Sequence, residues 1–258
     1  MTHALLGGRL SPRGRSVLEW CAVGLLFAAV GLWYAGPSFS ARFSGAVPTS
    51  ALGGGSAYMN PGDQFEQFYR HNLPYYNIPR GHRPYFSGYE YRLAPRMEFS
   101  EGWIFFPFSA ICSALAVPFG PVRAYNLLAI LSFAFCAWAG YLLGRTASGG
   151  SRAAGLVSAA VVALNPFRVG FLFGEMVIGT DTALIPLALY AFARFLDDRS
   201  VRSTAAFFLF LFLLATSNFA LLYWLALILA PFFAVGGVLA LPTLPEDRRR
   251  RAVLVVVV

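Results

Sequence analysis

Apolar residues along this chain are gathered into blocks, which are separated by short polar segments that contain most of the arginines. The first block covers residues 17–36, and another of similar length covers residues 125–143. A helix that crosses the hydrocarbon core of a bilayer needs about 20 predominantly apolar residues. Helices of a soluble domain are instead amphipathic, with an apolar stripe on one face only. The pattern therefore predicts an all-α membrane protein.

Composition supports this prediction and narrows the possible partners. Hydrophobic residues make up 57% of the chain, whereas charged residues make up 12%, about half the fraction of an ordinary soluble domain. The formal net charge of +8 is also compatible with binding to nucleic acid. However, the arginines stand mostly at the ends of apolar blocks, where cytoplasmic positive charge is concentrated in membrane proteins. We therefore assign the charge to membrane topology and predict no nucleic-acid partner.

The arginines also orient the predicted helices. Three of them precede the first block, so residues 1–16 are predicted to be cytoplasmic and residues 37–102 to form a large first extracytoplasmic loop. Cleavage of the first block as a signal peptide would leave this loop on the same side. We favour an uncleaved signal anchor because Trp20 and Trp33 lie near the ends of the block, as interfacial aromatic residues do.

The apolar piece at residues 104–119 is interrupted by Pro107 and Pro118. If it were a full span, Arg145 and Arg152 would lie on the outer side, against the charge rule. We therefore predict an interfacial or re-entrant segment. The later crossings are then predicted at residues 125–143, 153–165, 183–196 and, twice, within residues 203–241, where Ser217-Asn218 supplies a polar break for a tight outer turn.

Together these segments predict a single transmembrane domain of about six helices, with its bundle at residues 103–241 and juxtamembrane helices in the first loop. Residues 252–258 are apolar but too few to cross a bilayer. They are predicted to begin a further, truncated span, so the chain is expected to be the N-terminal fragment of a longer protein. The predicted location is the bacterial cytoplasmic (inner) membrane, multi-pass, with a cytoplasmic N-terminus.

The cysteines do not predict a metal site. Cys21, Cys112 and Cys136 all fall inside apolar blocks, without CxxC spacing or a neighbouring histidine. This placement is typical of small core residues. We predict no cofactor, and no spacing in the sequence supports a divalent metal.

The first loop holds most of the candidate chemistry. Residues 63–69 are predicted to start a short helix with an apolar face, which would lie along the membrane surface and hold Asp63 near the headgroup level. A carboxylate there could act on a lipid-linked substrate. Asp63 could equally cap the helix, because it follows Pro61 and Gly62 and precedes Glu66 by three positions. The two roles can coexist.

Other polar residues could bind the substrate. The guanidinium groups of Arg70, Arg80 and Arg83 could each grip a phosphate through two hydrogen bonds, or they could simply reach the headgroups. His71 and His82 could donate to a phosphate, or they could be exposed loop residues.

Two further acids, Glu175 and Asp181, are predicted on the outer side between the third and fourth spans. They could face the same cavity as Asp63, because ionisable groups near span ends tend to point inward. The alternative is a solvated turn.

Several short motifs follow one another in a recognisable order. They are Pro61-Gly62-Asp63-Gln64, Ile78-Pro79-Arg80-Gly81, Phe105-Phe106-Pro107-Phe108, Tyr141-Leu142-Leu143-Gly144-Arg145, residues 159–168 (AAVVALNPFR) and Ala183-Leu184-Ile185-Pro186-Leu187. In this order and spacing the chain, from residue 17 to about residue 241, resembles the GT-C superfamily of membrane glycosyltransferases. Within that superfamily it is similar to the YfhO-like and dolichyl-phosphate-mannose-transferase-like proteins.

The resemblance implies transfer of a sugar from a polyprenyl-phosphate donor to a glycan, lipid or protein acceptor on the outer face of the membrane. It also implies that an acid in the first loop acts as the catalytic base. Asp63 matches that position, and Glu66 is its nearest substitute. Several family members carry two adjacent acids there, whereas this chain has Asp63-Gln64. The alternative function is a non-catalytic polytopic membrane protein, such as a transporter, flippase or assembly scaffold that binds lipid or a partner.

Overall fold

The computed structural model describes residues 12–39, 61–85, 105–166, 168–169, 180–198, 200–217, 222–223, 225–227 and 229–230. Of these described residues, 87% are helical and none is in a β-strand. The all-α class predicted from the sequence is therefore confirmed for this part of the chain.

Seven α-helices have defined bounds within the described residues. In chain order they are α1 (Pro12–Phe39), α2 (Pro61–Asn77), α3 (Phe108–Phe119), α4 (Pro121–Ala147), α5 (Arg152–Ala163), α6 (Leu184–Asp198) and α7 (Val201–Ser217), with a 3₁₀ turn at Ile78–Arg80. The chain divides into two units, Met1–Phe219 and Ala220–Val258. All seven helices belong to the first.

Helix α4 is the central element, and α1, α2, α3, α5 and α6 all pack against it. Its 27 residues span about 40 Å at 1.5 Å per residue. Among the described residues it is the one helix that is both long and apolar enough to cross a membrane. Pro121 occupies its first turn, where the missing N–H is harmless and the fixed φ favours the helix.

The other apolar helices are shorter. The described apolar part of α1, Val17–Trp33, and helices α3, α5, α6 and α7 fall in the range of 10–17 residues. Helices α3 and α5 have 12 residues each, or about 18 Å, less than the bilayer core of about 30 Å. For α3 this length agrees with the predicted interfacial or re-entrant segment. For α5 it means that the crossing predicted at residues 153–165 needs residues beyond the helix.

Glycines bring α4 and α5 into close contact. A Cβ atom added at Gly140 would lie 2.6 Å from the carbonyl oxygen of Ser158, and one at Gly144 would lie 2.7 Å from the carbonyl oxygen of Ala154. From the other side, a Cβ at Gly155 would lie 2.8 Å from the Tyr141 ring. Gly140 and Gly144 form a G-x-x-x-G pair, the spacing with which membrane helices approach backbone to backbone.

Helix α1 packs on α4 where large aromatic side chains of α4 lie against glycines of α1. The indole of Trp138 occupies the space beside Gly24, and its Nε1 donates a hydrogen bond to the Trp20 carbonyl oxygen at 2.8 Å. The ring of Phe133 lies beside Gly31 in the same way. This bond fixes the level at which α1 meets α4.

Helix α2 contains the predicted first turns at residues 63–69 and continues to Asn77, and its second half packs on α3 instead of facing only the membrane surface. The Ser113 hydroxyl donates to the His71 carbonyl oxygen at 3.1 Å and accepts from the Tyr75 N–H at 3.2 Å. Leu73, which was predicted on the apolar face, is buried. These contacts hold the helix that carries the predicted catalytic acids against the start of the bundle.

Helices α6 and α7 pack side by side through aromatic rings. The ring of Phe207 lies 5.3 Å from that of Phe192 and 6.3 Å from that of Phe195. Helix α7 ends at Ser217, where the sequence predicted a polar break. The predicted second crossing within residues 203–241 and the truncated span at residues 252–258 lie largely or wholly outside the described residues.

Candidate functional site

A group of buried polar side chains extends from Tyr125, at the N-terminal end of α4, towards the middle of that helix, where the hydroxyl of Thr182, the neighbour of Asp181, lies 3.6 Å from Cys136 Sγ. Its members come from the helices α2, α4 and α7 and from the segment before α6, and we call them the polar end: His71, Asn72, Tyr125, Asp181 and Ser217. All five are buried, although polar groups usually stay at the surface. The sequence predicted two of them, His71 and Asp181, as substrate-binding residues.

His71 lies in α2 and is fully buried. Its imidazole stacks on the Phe105 ring, with centroids 5.2 Å apart and an interplanar angle of 3°, and meets the edge of the Tyr125 ring at 5.7 Å. The expectation of an exposed loop histidine is therefore wrong for His71, because α2 packs this face against α3 and α4. His82, beyond the helix, is exposed as that alternative expected.

Phe105, which stacks on His71, has a strained backbone conformation. Its φ is 53°, in the left-handed region that bulky residues rarely adopt. The ring is fully buried between the His71 imidazole and the Arg70 guanidinium, which lies 5.9 Å from its centroid. Such strain persists where the surrounding contacts over-determine the conformation.

Tyr125 and Ser217 have buried hydroxyls that make no hydrogen bond. Tyr125 is fully buried in the first turns of α4, with the Phe68 ring against it at 5.4 Å. Ser217 is the last residue of α7. Leaving such a group unsatisfied costs about 1–3 kcal/mol. Each hydroxyl is therefore available to a ligand or a water molecule.

Asp181 is the most unusual member of the polar end. It is fully buried, and neither carboxyl oxygen makes a hydrogen bond. It precedes α6 and so lies outside the predicted span at residues 183–196. Burial raises the pKa of Asp181 to about 8; the nearby Ser217 hydroxyl lowers it slightly without meeting hydrogen-bond geometry. The expectation of a solvated turn is wrong here, and the acid is largely neutral near pH 7.

Contacts along the chain connect Asp181 with His71. Ser217 is close enough to Asp181 to influence its pKa, and the hydroxyl of its neighbour Thr216 lies 3.5 Å from the Phe106 carbonyl oxygen. The residue before Phe106 is the one that stacks on His71. These contacts, one of them between residues 110 positions apart, link the end of α7 to the segment that stacks on His71.

Arg168 is a buried cation that sequence reasoning did not select. Its side chain is 2% exposed. It donates to Cys136 Sγ at 3.0 Å, to the Ala163 carbonyl oxygen at 2.6 Å and to Ser132 Oγ at 2.6 Å, and it lies 4.6 Å above the Phe133 ring. The only sequence signal is its position directly after an apolar block that ends in Asn-Pro.

The remaining predicted residues are distributed more widely. Helix α2 begins at Pro61, which places Asp63 and Glu66 in its first two turns, so Asp63 is inside the helix and not at the residue that caps it. Arg80 and Arg83 are exposed beyond the helix, and the Arg80 guanidinium donates to the Tyr76 carbonyl oxygen. Glu175 lies outside the described residues.

The other end of α4 carries a charge network that the sequence also did not reveal. We call it the charged end: Glu19, Tyr141, Arg145 and Arg152. The carboxylate of Glu19 accepts from Arg145 Nη1 at 3.0 Å and from Arg152 Nη2 at 3.0 Å, and the Tyr141 hydroxyl donates to the same carboxylate. One acid thereby joins α1, α4 and α5.

No group of three His, Cys, Asp or Glu side chains that could hold a metal ion occurs in the part of the chain that the structure describes. Cys112 and Cys136 are buried, as predicted for core residues, but Cys21 is exposed. The prediction fails for Cys21 because it lies on the exposed face of α1, whereas Trp20 and Gly24 contact α4.

Comparisons of the chain with protein-family models, with curated proteins and with solved structures found no match. The case for a function therefore depends on the residues of the polar end and on the helix packed against it.

Proposed function

We propose that the protein is a GT-C-type glycosyltransferase of the bacterial cytoplasmic membrane, which transfers a sugar from a polyprenyl-phosphate donor to an acceptor on the outer face. The observation that carries the proposal is the polar end. Helix α2, which carries Asp63 and Glu66, packs on α3 and α4, and the buried carboxyl of Asp181 has no hydrogen-bond partner. Buried groups of this kind mark functional sites in membrane proteins.

The proposed topology orients this end outward. Helix α4 crosses from the outer to the cytoplasmic side, so that Arg145 and Arg152 at its far end lie in the cytoplasm, as the charge rule requires. About six crossings and a cytoplasmic N-terminus complete the arrangement. The polar end and α2 then lie at the level where a lipid-linked donor presents its phosphate.

In the proposed reaction, Asp63 removes the proton from an acceptor hydroxyl, with Glu66 as the nearest substitute. The hydroxyl oxygen forms a bond to the anomeric carbon while the bond from that carbon to the phosphate oxygen breaks, with inversion. Polyprenyl phosphate leaves with the bonding electron pair and is stabilised by Arg70, Arg80 or Arg83. A positioned base contributes about 10²- to 10⁴-fold, and preorganised cations add several kcal/mol.

His71, Glu175 and Asp181 are proposed to bind the substrate. A neutral carboxylic acid can both donate and accept hydrogen bonds, which suits sugar hydroxyls. The unpartnered hydroxyl of Ser217 lies beside Asp181 and offers a second contact. Binding a hydroxyl-rich ligand would satisfy groups that are costly to leave buried alone.

The test measures release of polyprenyl phosphate from a panel of polyprenyl-phosphate sugars by the full-length protein purified in lipid. Asp63→Asn is expected to abolish release without loss of membrane insertion. Asp198→Asn, the same chemical change at the last residue of α6, is the matched control and should retain activity. Full activity of Asp63→Asn would reject the assignment of the base.

The second candidate is a non-catalytic membrane protein, such as a transporter, flippase or assembly scaffold. Arg168 favours it, because a fully buried arginine inside a bundle is also typical of a transport pathway. Lipid binding that persists without release from any donor would favour this alternative over the transferase.

A further inference from the structure

A groove of about 420 Å³ opens beside the charged end, between α1 and α5. Most of its lining is apolar: Leu18, Ala22, Val23 and Leu26 from α1 and Leu156 from α5. The polar residues that line it are Glu19, Tyr141 and Arg152 of the charged end. From Leu18 to Leu26 the groove follows about 12 Å of helix. An elongated apolar trough of this kind fits a hydrocarbon chain lying parallel to the helices.

Arg152 stands at the mouth of this groove. One nitrogen of its guanidinium bonds to Glu19 at 3.0 Å, but the side chain is 69% exposed, so most of its five N–H donors face outward. The charged end contains two arginines and one glutamate, which leaves one net positive charge. The exposed part of the Arg152 guanidinium can therefore bind an anion while its contact with Glu19 remains.

The position of Arg152 in the fold adds to the attraction. It is the first residue of α5, and the first turn of that helix contains no acid. The Ser151 hydroxyl caps this helix by accepting from the Ala154 N–H, and the positive end of the helix dipole lies at Arg152. A phosphate at the mouth of the groove would meet an arginine and a helix N-terminus together.

The groove is also open along its length. Leu18 and Leu26 are more than half exposed, and Leu156 is 43% exposed. The groove has exposed leucines on both walls and an arginine at its opening. This arrangement suits an amphiphile with one anionic head group and an apolar tail. It does not suit a soluble anion, which would leave the apolar walls uncovered.

We propose that this groove is a binding site for an anionic phospholipid, with its phosphate on Arg152 and one acyl chain along α1 between Leu18 and Leu26. The site lies at the opposite end of α4 from the polar end, and it does not depend on the proposed transferase activity. It requires only that the charged end lies at the membrane surface.

The test is native mass spectrometry of the delipidated full chain, titrated with phosphatidylglycerol and with phosphatidylcholine of identical acyl chains. We expect the wild type to retain phosphatidylglycerol about fivefold more strongly, the preference that one arginine near an anionic surface supplies. Arg152→Gln should abolish the preference, whereas Arg202→Gln, the same change at an exposed arginine of α7, should keep it.

The acyl-chain part of the proposal is tested by Leu156→Trp, which fills the groove from an exposed position. It should weaken binding of both lipids, whereas Val157→Trp, its exposed neighbour outside the groove, should bind as the wild type does. Equal retention of the two lipids by the wild type, or unchanged preference in Arg152→Gln, would overturn the site. Complete competition by inorganic phosphate, with no effect of Leu156→Trp, would overturn the chain-binding groove.

Discussion

The buried polar groups near the two ends of α4 differ in whether they have hydrogen-bond partners. At the charged end, the Glu19 carboxylate is bonded to Tyr141, Arg145 and Arg152. At the polar end, the carboxyl of Asp181 and the hydroxyls of Tyr125 and Ser217 are buried without hydrogen-bond partners. The first arrangement stabilises the fold by joining three helices, whereas the second costs stability. A ligand that forms hydrogen bonds with these groups would offset that cost, which is the basis of the proposal that the polar end binds substrate.

The largest expected effect is a pH dependence from the polar end. Because burial raises the pKa of Asp181 to about 8, the folded state keeps a proton that the unfolded state releases above its ordinary pKa of about 4. The free energy of unfolding should therefore fall as pH rises from about 4 to about 8, by at most about 1.4 kcal/mol per pH unit.

Asp181→Asn should remove that component of the slope, whereas a variant of the charged end should keep it. Chemical unfolding in detergent micelles across this pH range provides the measurement. A wild-type slope that persists in Asp181→Asn would assign the titration to another group.

The next largest effect is expected at the glycine contact that positions the charged end. In Gly144→Leu, the new Cβ would lie 2.5 Å from Ser158 Cβ and 2.7 Å from a backbone oxygen of α5, so α5 must move away and take Arg152 with it. We expect a loss of about 3 kcal/mol in unfolding free energy. Ala147→Leu, at the exposed last residue of the same helix, is the control and should be nearly neutral.

A smaller loss is expected from Glu19→Gln. The substitution leaves Arg145 and Arg152 side by side without their counter-charge, in a site where the Glu19 side chain is only 17% exposed. Because the two arginines remain partly hydrated, we expect about 2 kcal/mol, between the values for surface and buried pairs. Unfolding of the wild type and of Glu19→Gln at high and low salt would check this loss. An unchanged unfolding midpoint in the variant would mean that the Glu19 network between α1, α4 and α5 does not stabilise the fold.

The smallest effects come from a matched pair of tyrosines on α4. Tyr141→Phe removes a hydroxyl that donates to Glu19 and should cost about 1 kcal/mol. Tyr125→Phe removes a buried hydroxyl with no partner, so it should be neutral or slightly stabilising. Thermal unfolding of the two variants side by side tests the contrast; equal losses would show that the two ends do not differ in hydrogen bonding.

Much of the helical framework could be predicted because apolar blocks leave a local signal. The predicted spans at residues 17–36 and 125–143 lie within α1 and α4, and the polar break near Ser217 is the end of α7. The predicted bounds were short at both ends, because a helix continues into polar residues after the apolar stretch has stopped. Hydropathy marks the part of a helix that avoids water and does not mark the whole hydrogen-bonded segment.

The polar contacts could not be predicted in the same way. His71 was predicted either to donate to a phosphate or to be exposed, yet α3 and α4 cover it. The sequence of α2 alone does not indicate these neighbours. Glu19 bonds to residues more than 120 positions away, a distance over which periodicity gives no information. Arg168 looked like an ordinary charge after an apolar block until its three acceptors were known.

The glycine contact between α4 and α5 has a consequence for how the chain is made. Helix α5 has 12 residues, too few to partition into lipid on its own as it leaves the ribosome, but its small-residue face fits α4, which is long enough. In the proposed topology the two helices are therefore expected to enter the bilayer together, with the turn at Gly149 and Gly150 remaining on the cytoplasmic side. A glycine replaced by a large side chain would then act during biosynthesis, lowering the amount of inserted protein before it affected the stability of the finished fold.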